Sequence, residues 1–199
     1  MNIQKTIEKL KSEGFAVSYF ETGADAAKYI TTQLVGKSIG IGGSKTVEAL
    51  NLFETLSQNN EVYWHWKQPA KEAVEKSARA QVYLTSANAI SETGEIINID
   101  GTGNRVSALM CGHEKVYIIA GTNKIADDYE SAMWRARNIA APLNAKRLGI
   151  KTPCAVSEEM KCFNCNSPAR ICRGISVLMQ KLNGNAEMEV ILINENLGY

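Results

Sequence analysis

A chain of 199 residues with 45% hydrophobic and 22% charged side chains can enclose one substantial core and is too apolar to stay disordered. Its formal net charge of +1 gives no electrostatic case for nucleic acid or an anionic membrane as partner. The opening Met1-Asn2-Ile3-Gln4-Lys5-Thr6 brings charge early without an apolar leader, and no apolar run approaches a membrane span, so a cytoplasmic protein is expected.

Ile3, Ile7 and Leu10 recur at helical spacing, with Gly14 placed to end that helix. Residues 15–20 read as a strand, and Thr22 as the N-cap of a helix carrying Ala26, Ala27, Ile30 and Leu34 on one side. A short strand at 38–41 runs into a glycine turn, after which one helix is expected through Leu50 and Phe53. Residues 62–66 read as strand, 69–80 as helix and 82–85 as strand. Two further strands, 95–100 and 116–120, flank a helix at 104–110. Residues 127–147 look helical, with Pro142 expected to kink or divide them. The stretch 152–174 has no amphipathic period and reads as a loop excursion before a last strand at 188–193. Strands alternating with helices at this rhythm imply a single α/β domain over 1–199, with an open, largely parallel sheet and flanking helices.

Gly42-Gly43-Ser44-Lys45-Thr46 joins a strand to a helix. Glycines allow a sharp turn and close approach of a ligand, and exposed N–H groups at a helix start favour an anion. Ser44 and Thr46 add hydroxyls. The alternative is a tight turn whose serine caps the helix. Two nucleotide motifs are excluded: Thr31 stands where a Walker A loop before Lys37 needs glycine, and Lys45 where the dinucleotide fingerprint ends in glycine.

The run from Thr85 to Arg105 is richer still. A strand end with small and polar residues leads through a turn to a second strand and a second polar exit. In open α/β sheets ligands lie beyond the carboxyl ends of strands, which nominates Asn88, Asn98, Gly101, Asn104 and Arg105, with Asn123 and Lys124 at the next strand exit. Glu92 or Asp100 are candidate general bases, and Arg105 a group that orients an anion. Against this, Asp100 and Asn104 suit turn building and Arg105 a surface ion pair.

This segment resembles the LUD-domain family, also called DUF162, whose members include proteins like lactate-utilisation protein C. The shared pattern is a strand ending small-Ala-Asp/Asn-x-Ile, here Ser86-Ala87-Asn88-Ala89-Ile90, followed by Glu92-Thr93-Gly94 and a hydrophobic strand. The likeness continues through His113 to Ile125, through the helix with Glu130, Ala132 and Arg135, and into Val190 to Tyr199, so it covers nearly the whole chain. It implies the open α/β fold of ribose-5-phosphate isomerase, glucosamine-6-phosphate deaminase and coenzyme A transferases. It also implies a part in oxidising lactate or a related organic acid with electron-transfer partners. Methylthioribose-1-phosphate isomerase has a similar run, but its key acid falls at Asn88, and an amide cannot act as a carboxylate base.

Of five cysteines, four fall in Cys154-x7-Cys162-x2-Cys165-x6-Cys172. Four thiolates suit zinc or an iron–sulfur cluster, and Cys162-Phe163-Asn164-Cys165 supplies a short chelating pair. Pro153 and Pro168 restrict the loop, and LUD relatives with a similar segment suggest a family feature. Cys111 reads as an ordinary core thiol, His65 as a packed or edge residue of an aromatic strand, and His113 as the maker of a local hydrogen bond. Three functions remain open: organic-acid oxidation with electron carriers, binding or conversion of a small phosphorylated or carboxylated ligand, and a noncatalytic module held by its metal loop.

Overall fold

The computed structural model describes residues 2–183 and 187–199. In chain order the elements begin α1 (Ile3–Ser12), β1 (Ala16–Phe20), α2 (Gly23–Gln33), β2 (Ser38–Ile41), α3 (Lys45–Ala49), α4 (Leu52–Leu56) and β3 (Glu61–Trp64). They continue with α5 (Ala70–Ser77), β4 (Val82–Thr85), β5 (Ala89–Ser91), β6 (Ile96–Asp100), α6 (Asn104–Met110) and β7 (Lys115–Gly121). The last are β8 (Ile125–Ala126), α7 (Tyr129–Arg135), α8 (Ala141–Arg147), α9 (Pro153–Val156), β9 (Gly174–Leu178) and β10 (Glu187–Ile193). None of the helices among these residues is long and apolar enough to cross a membrane.

Six strands form one parallel sheet in the order β1-β10-β7-β4-β2-β3. Its central strands are apolar almost throughout because helices cover both faces. Along β10, Ile191 and Ile193 join the core under α2 to α4, while Val190 and Leu192 join the core under α1 and α6. From β2 the chain steps outward to β3 and then returns past β2 to β4. The strand order reverses there, and a crevice opens beyond the carboxyl ends of β2 and β4.

A second sheet, β8-β5-β6-β9, was not expected from the sequence. It grows out of the first. Adjacent strands β4 and β7 both break, at 86–88 and at the 3-10 turn Thr122–Lys124, and resume as the parallel neighbours β5 and β8. Strands β6 and β9 pair antiparallel on its far side. A third core of Ala89, Ile97, Ile99, Ala132, Ala136 and Ala141 seats α7 and α8 on this sheet.

Local chemistry explains the element ends. Gly14 follows α1 at φ +85°, as its position required, and the Thr22 side chain caps α2 by accepting from Asp25 N–H. The single helix expected after the glycine turn is instead two, α3 and α4, separated by Asn51 at φ 51°, a left-handed conformation that asparagine tolerates. Residues 129–147 stay helical through a wide π turn, Ala136–Ala140, immediately before Pro142. That turn falls where the proline has no N–H to return to the preceding turn. Edge strand β3 ends at Trp64 because the Gln68 side chain takes over its ladder: Oε1 accepts from Trp64 N–H and Nε2 donates to the Val62 carbonyl. Cys111, read as a core thiol, is exposed at the end of α6.

A methyl group at Gly40, inside β2, would lie 2.3 Å from Ser77 Oγ and 2.7 Å from its carbonyl oxygen. Gly40→Ala should therefore cost about 1–3 kcal/mol, the usual toll of overpacking. Gly174→Ala, which meets nothing within 4 Å, should stay within ~0.5 kcal/mol. Urea denaturation of both variants checks the contrast; equal losses would show that the β2–α5 contact is loose.

Candidate functional site

The crevice at the strand reversal holds a cavity of about 300 Å³. Its walls come from the glycine turn (Gly43, Ser44), the β4 break (Ser86, Asn88), the β6 exit (Asp100, Gly101) and α6 (Asn104, Arg105), with Lys124 at its floor. Four basic side chains line it, Lys45, Arg105, Lys124 and Arg147, against a single side-chain carboxylate, Asp100.

In the glycine turn, the capping alternative is realised: Ser44 Oγ accepts from Val47 N–H at 3.1 Å while the residue still faces the cavity. Both glycines are needed for closeness. A methyl at Gly43 would meet the Trp66 ring at 3.2 Å, and one at Gly42 would meet the Tyr83 hydroxyl at 3.0 Å with Arg105 behind it. Lys45 is partly occupied by an ion pair with Glu48.

Lys124 is 4% exposed. Its Nζ donates to Thr46 Oγ1 at 2.9 Å, Ser86 Oγ at 2.8 Å and the Ala87 carbonyl at 3.1 Å. Its hydrogen-bond partners are neutral oxygens. Burial, reinforced by the charges of Arg135 and Arg105, lowers its pKa to about 7. Thr46 Oγ1 in turn donates to the Leu197 carbonyl, so the chain's final segment closes over this group. Leu197 N–H donates to Asn123 Oδ1, and Tyr199 reaches the cavity wall.

Asp100 caps the start of α6. Its Oδ1 accepts from Gly101 and Thr102 N–H, and its Oδ2 from Arg105 and Val106 N–H. Both oxygens are thus engaged in holding the turn, with the Arg105 guanidinium 4.0 Å away. Arg105 donates to Asn88 Oδ1 at 3.1 Å and to the Ile99 carbonyl. Burial lowers its pKa and Asp100 opposes that shift. Asn88 is a joint rather than a base: Oδ1 also accepts from Ile99 N–H at 2.8 Å, and its carbonyl accepts from Arg135.

The cavity therefore gathers Gly43, Ser44, Asn88, Gly101, Asn104, Arg105, Lys124 and Asp100. Gly42 and Thr46 support it from behind. Asn123 lies one layer below, its carbonyl held by Arg135 Nε and its side chain by the closing segment. Asn98 is fully buried in β6, with no hydrogen-bond partner for its amide among the described residues. Glu92 sits at the β5–β6 turn, where it accepts from Asn2 N–H and pairs with Lys5 at 3.2 Å, which ties down the start of α1.

Sequence reasoning missed part of the rim. His65 and Trp66, read as strand, occupy the turn after β3 and line the cavity, with Arg147 stacked 4.7 Å over the Trp66 ring. Burial lowers the His65 pKa. His113 bonds to the Ala80 carbonyl at 2.7 Å. The rim's signal was present in the aromatic run, but nothing in its spacing announced a turn.

The cysteine segment forms an adjoining wall. Arg173 N–H donates to the Asp100 carbonyl, and the Ile171 carbonyl passes so close to Gly101 that a methyl there would lie 2.8 Å from it. Cys162 and Cys172 line a neighbouring cavity of about 260 Å³ with Arg137 and Arg170. Cys162 Sγ accepts from Arg137 Nη2 at 3.6 Å and Asn164 N–H at 3.4 Å, and Cys172 Sγ from Arg170 Nη2 at 3.5 Å. Cys154 lies 3.4 Å from Thr152 Oγ1. Among the described residues, no three His, Cys, Asp or Glu side chains are grouped as a metal site.

An open parallel sheet flanked by helices, with a crevice at its strand reversal, defines an α/β protein of the open-sheet class. The LUD-domain model matches residues 3–193, and the chain belongs to the LUD-domain family. Its fold is similar to the crystal structure of a DUF162 family protein from Deinococcus radiodurans, with a TM-score of 0.57 at 14% identity over 96% of this chain and 95% of that one. No curated protein matches the sequence.

The Lys124 environment makes a signed prediction. Its folded-state pKa, about 7, lies below the ordinary value of 10.5. Below about pH 7 both states carry the proton and the folded chain bears the full cost of burying it. Between the two values the unfolded chain binds more protons, so stability rises with pH by up to ~1.4 kcal/mol per unit. Lys124→Met should flatten that rise when urea midpoints are compared across this window. Parallel pH curves for the two proteins would contradict the assignment.

Proposed function

We propose that this protein binds a small organic-acid anion in the cleft and serves the oxidation of lactate or a related acid together with electron-transfer partners in the cytoplasm. The observation that carries the reading is the imbalance of charge at the cleft: the cations Lys45, Arg105 and Arg147 line it, while the oxygens of Asp100 are engaged by backbone N–H groups. A carboxylate entering there meets Arg147, which stacks on Trp66, and Arg105, whose Asp100 partner stands 4.0 Å away with its oxygens on backbone N–H groups. Family membership supplies the link to lactate. Asp100 acts by fixing α6 and Arg105, and Asn88 by holding the guanidinium from the other side.

A phosphorylated ligand would meet the same cations, and titration separates the two classes. Calorimetry with L-lactate, pyruvate and ribose 5-phosphate should give saturable binding of a carboxylate ligand. Arg147→Ala should weaken it roughly 3–10-fold, the ~1 kcal/mol scale of an exposed ion pair. Gly43→Val, which crowds Trp66, should weaken it further. Binding of ribose 5-phosphate alone would move the function to phosphorylated ligands; binding of none would end the reading.

The proposal extends to the electron-carrying side. Cys154, Cys162, Cys165 and Cys172 would hold zinc or an iron–sulfur cluster, which would supply structural closure or one-electron transfer respectively. Fit is supported at Cys162 and Cys172, whose sulfurs face guanidinium groups, and at Cys162 a backbone N–H as well. Ligation by all four requires the segment to close further, since Cys154 is turned toward Thr152. Protein prepared anaerobically should carry stoichiometric metal. Cys162→Ser should lower that content and increase protease cutting within 152–174 while the sheet stays folded. Metal-free anaerobic protein would remove this part of the proposal.

A further inference from the structure

Lysines are almost never fully buried unless a carboxylate pairs with them. Lys124 departs from that rule in a specific way. It leaves the main sheet at the β7 break and ends at the cleft floor, where two hydroxyls and one carbonyl surround its nitrogen. The charged groups that act on it, Arg135 from α7 and Arg105 from α6, are both cations. Ser86 suits either protonation state, since its hydroxyl can donate to a free amine as readily as it accepts from an ammonium, while Thr46, whose hydrogen goes to the Leu197 carbonyl, accepts from Nζ. A neutral amine at the floor of a cleft lined by cations is the arrangement that carbonyl chemistry on a carboxylic acid needs. The cations take the carboxylate and leave the adjacent carbon to the amine.

We propose that Lys124 is a nucleophile that forms a reversible imine with a 2-oxo acid bound in the cleft. This deepens the organic-acid reading and rests on it, because oxidation of a 2-hydroxy acid yields a 2-oxo acid. In the step, the Nζ lone pair attacks the carbonyl carbon and a C–N bond forms. The carbonyl π pair moves to oxygen, which takes up a proton. Nζ, now positively charged, gives up one proton, which leaves a neutral carbinolamine. Its hydroxyl takes a second proton and departs as water while the nitrogen lone pair completes the C=N bond. The last Nζ proton returns to the medium, so the oxygen gains two protons and the nitrogen loses two. Amine and ketone give imine and water, so no oxidant or reductant is consumed. Ser86, at Nζ, is placed to pass the protons, while Thr46, oriented by the Leu197 carbonyl, accepts from Nζ and holds it in position. Lys124 thereby differs from Arg105 and Arg147, which bind the acid but cannot attack it.

Reductive trapping of the unmodified protein tests this directly. The protein is incubated with pyruvate and sodium cyanoborohydride, its intact mass is measured, and the adduct is located by peptide mapping. The expected result is one reduced pyruvate adduct on Lys124, formed faster than on any surface lysine and suppressed by excess L-lactate, which occupies the cleft but has no ketone. Lys124→Arg, which keeps a cation at the position, should abolish the mapped adduct. Saturation-transfer NMR with pyruvate and with lactate runs alongside. If pyruvate binds competitively with lactate and no adduct forms on Lys124, or the label spreads evenly over exposed lysines, the imine proposal is overturned while the organic-acid reading stands. If neither acid binds, both fall. Trapping of glyceraldehyde 3-phosphate at Lys124 with no pyruvate adduct would overturn the 2-oxo acid assignment.

Discussion

Two neighbouring strands that stop and start again must dispose of the backbone carbonyls they leave behind. A buried carbonyl without a donor costs as much as a lost hydrogen bond. At the β4–β5 and β7–β8 breaks, three such carbonyls, Ala87, Asn88 and Asn123, accept from Lys124 and Arg135. Basic side chains thus repair the interrupted sheet, and the floor of the cleft follows from where they must stand. Lys124 has to reach across beneath the cavity to find Ala87. Arg135 has to project from α7, which fixes that helix against the second sheet. The same interruption brings Ser86 and Asn88 to the wall of the cleft.

Around that repair the polar side chains act as joints. Asn88 ties Ile99 N–H and Arg105 through one oxygen, and Asp100 ties four N–H groups through two. Each such group looks reactive in a sequence and is committed to shape in the fold. What remains available to a ligand is positive: Arg147 on its aromatic shelf, the exposed part of Lys45, and the cleft-facing side of Arg105.

The main sheet was legible because its strands are short, apolar and separated by well-punctuated helices. Gly14, Thr22 and Ser44 perform the local roles their chemistry dictates. The second sheet was not, since β5 and β8 have three and two residues and β9 follows directly on an irregular segment. Periodicity needs more residues than that to declare itself. The polar exits at Ser44, Asn88 and Asp100 converge on the cleft as strand-end reasoning expects, whereas Asn98 points into packing and Glu92 toward α1. No spacing rule distinguishes those outcomes, because facing direction depends on which helix covers the strand. Trp66 escaped notice for the opposite reason: an aromatic run has the composition of a strand, and only Gln68 turns it aside.

Ile99 and Ala141 belong to the walls of both cavities, the cationic cleft on one side and the thiol-lined one on the other. A partition with two faces cannot be shifted from one without being felt at the other. By thermodynamic reciprocity, any change at the thiols that moves this partition and alters anion affinity is matched by an equal effect of the anion on that change. The proposed ligand in the cleft and the proposed metal at the sulfurs would therefore press on the same two side chains, Ile99 and Ala141. The Arg173–Asp100 bond, which fastens the cysteine segment to the end of β6, holds the two compartments in register.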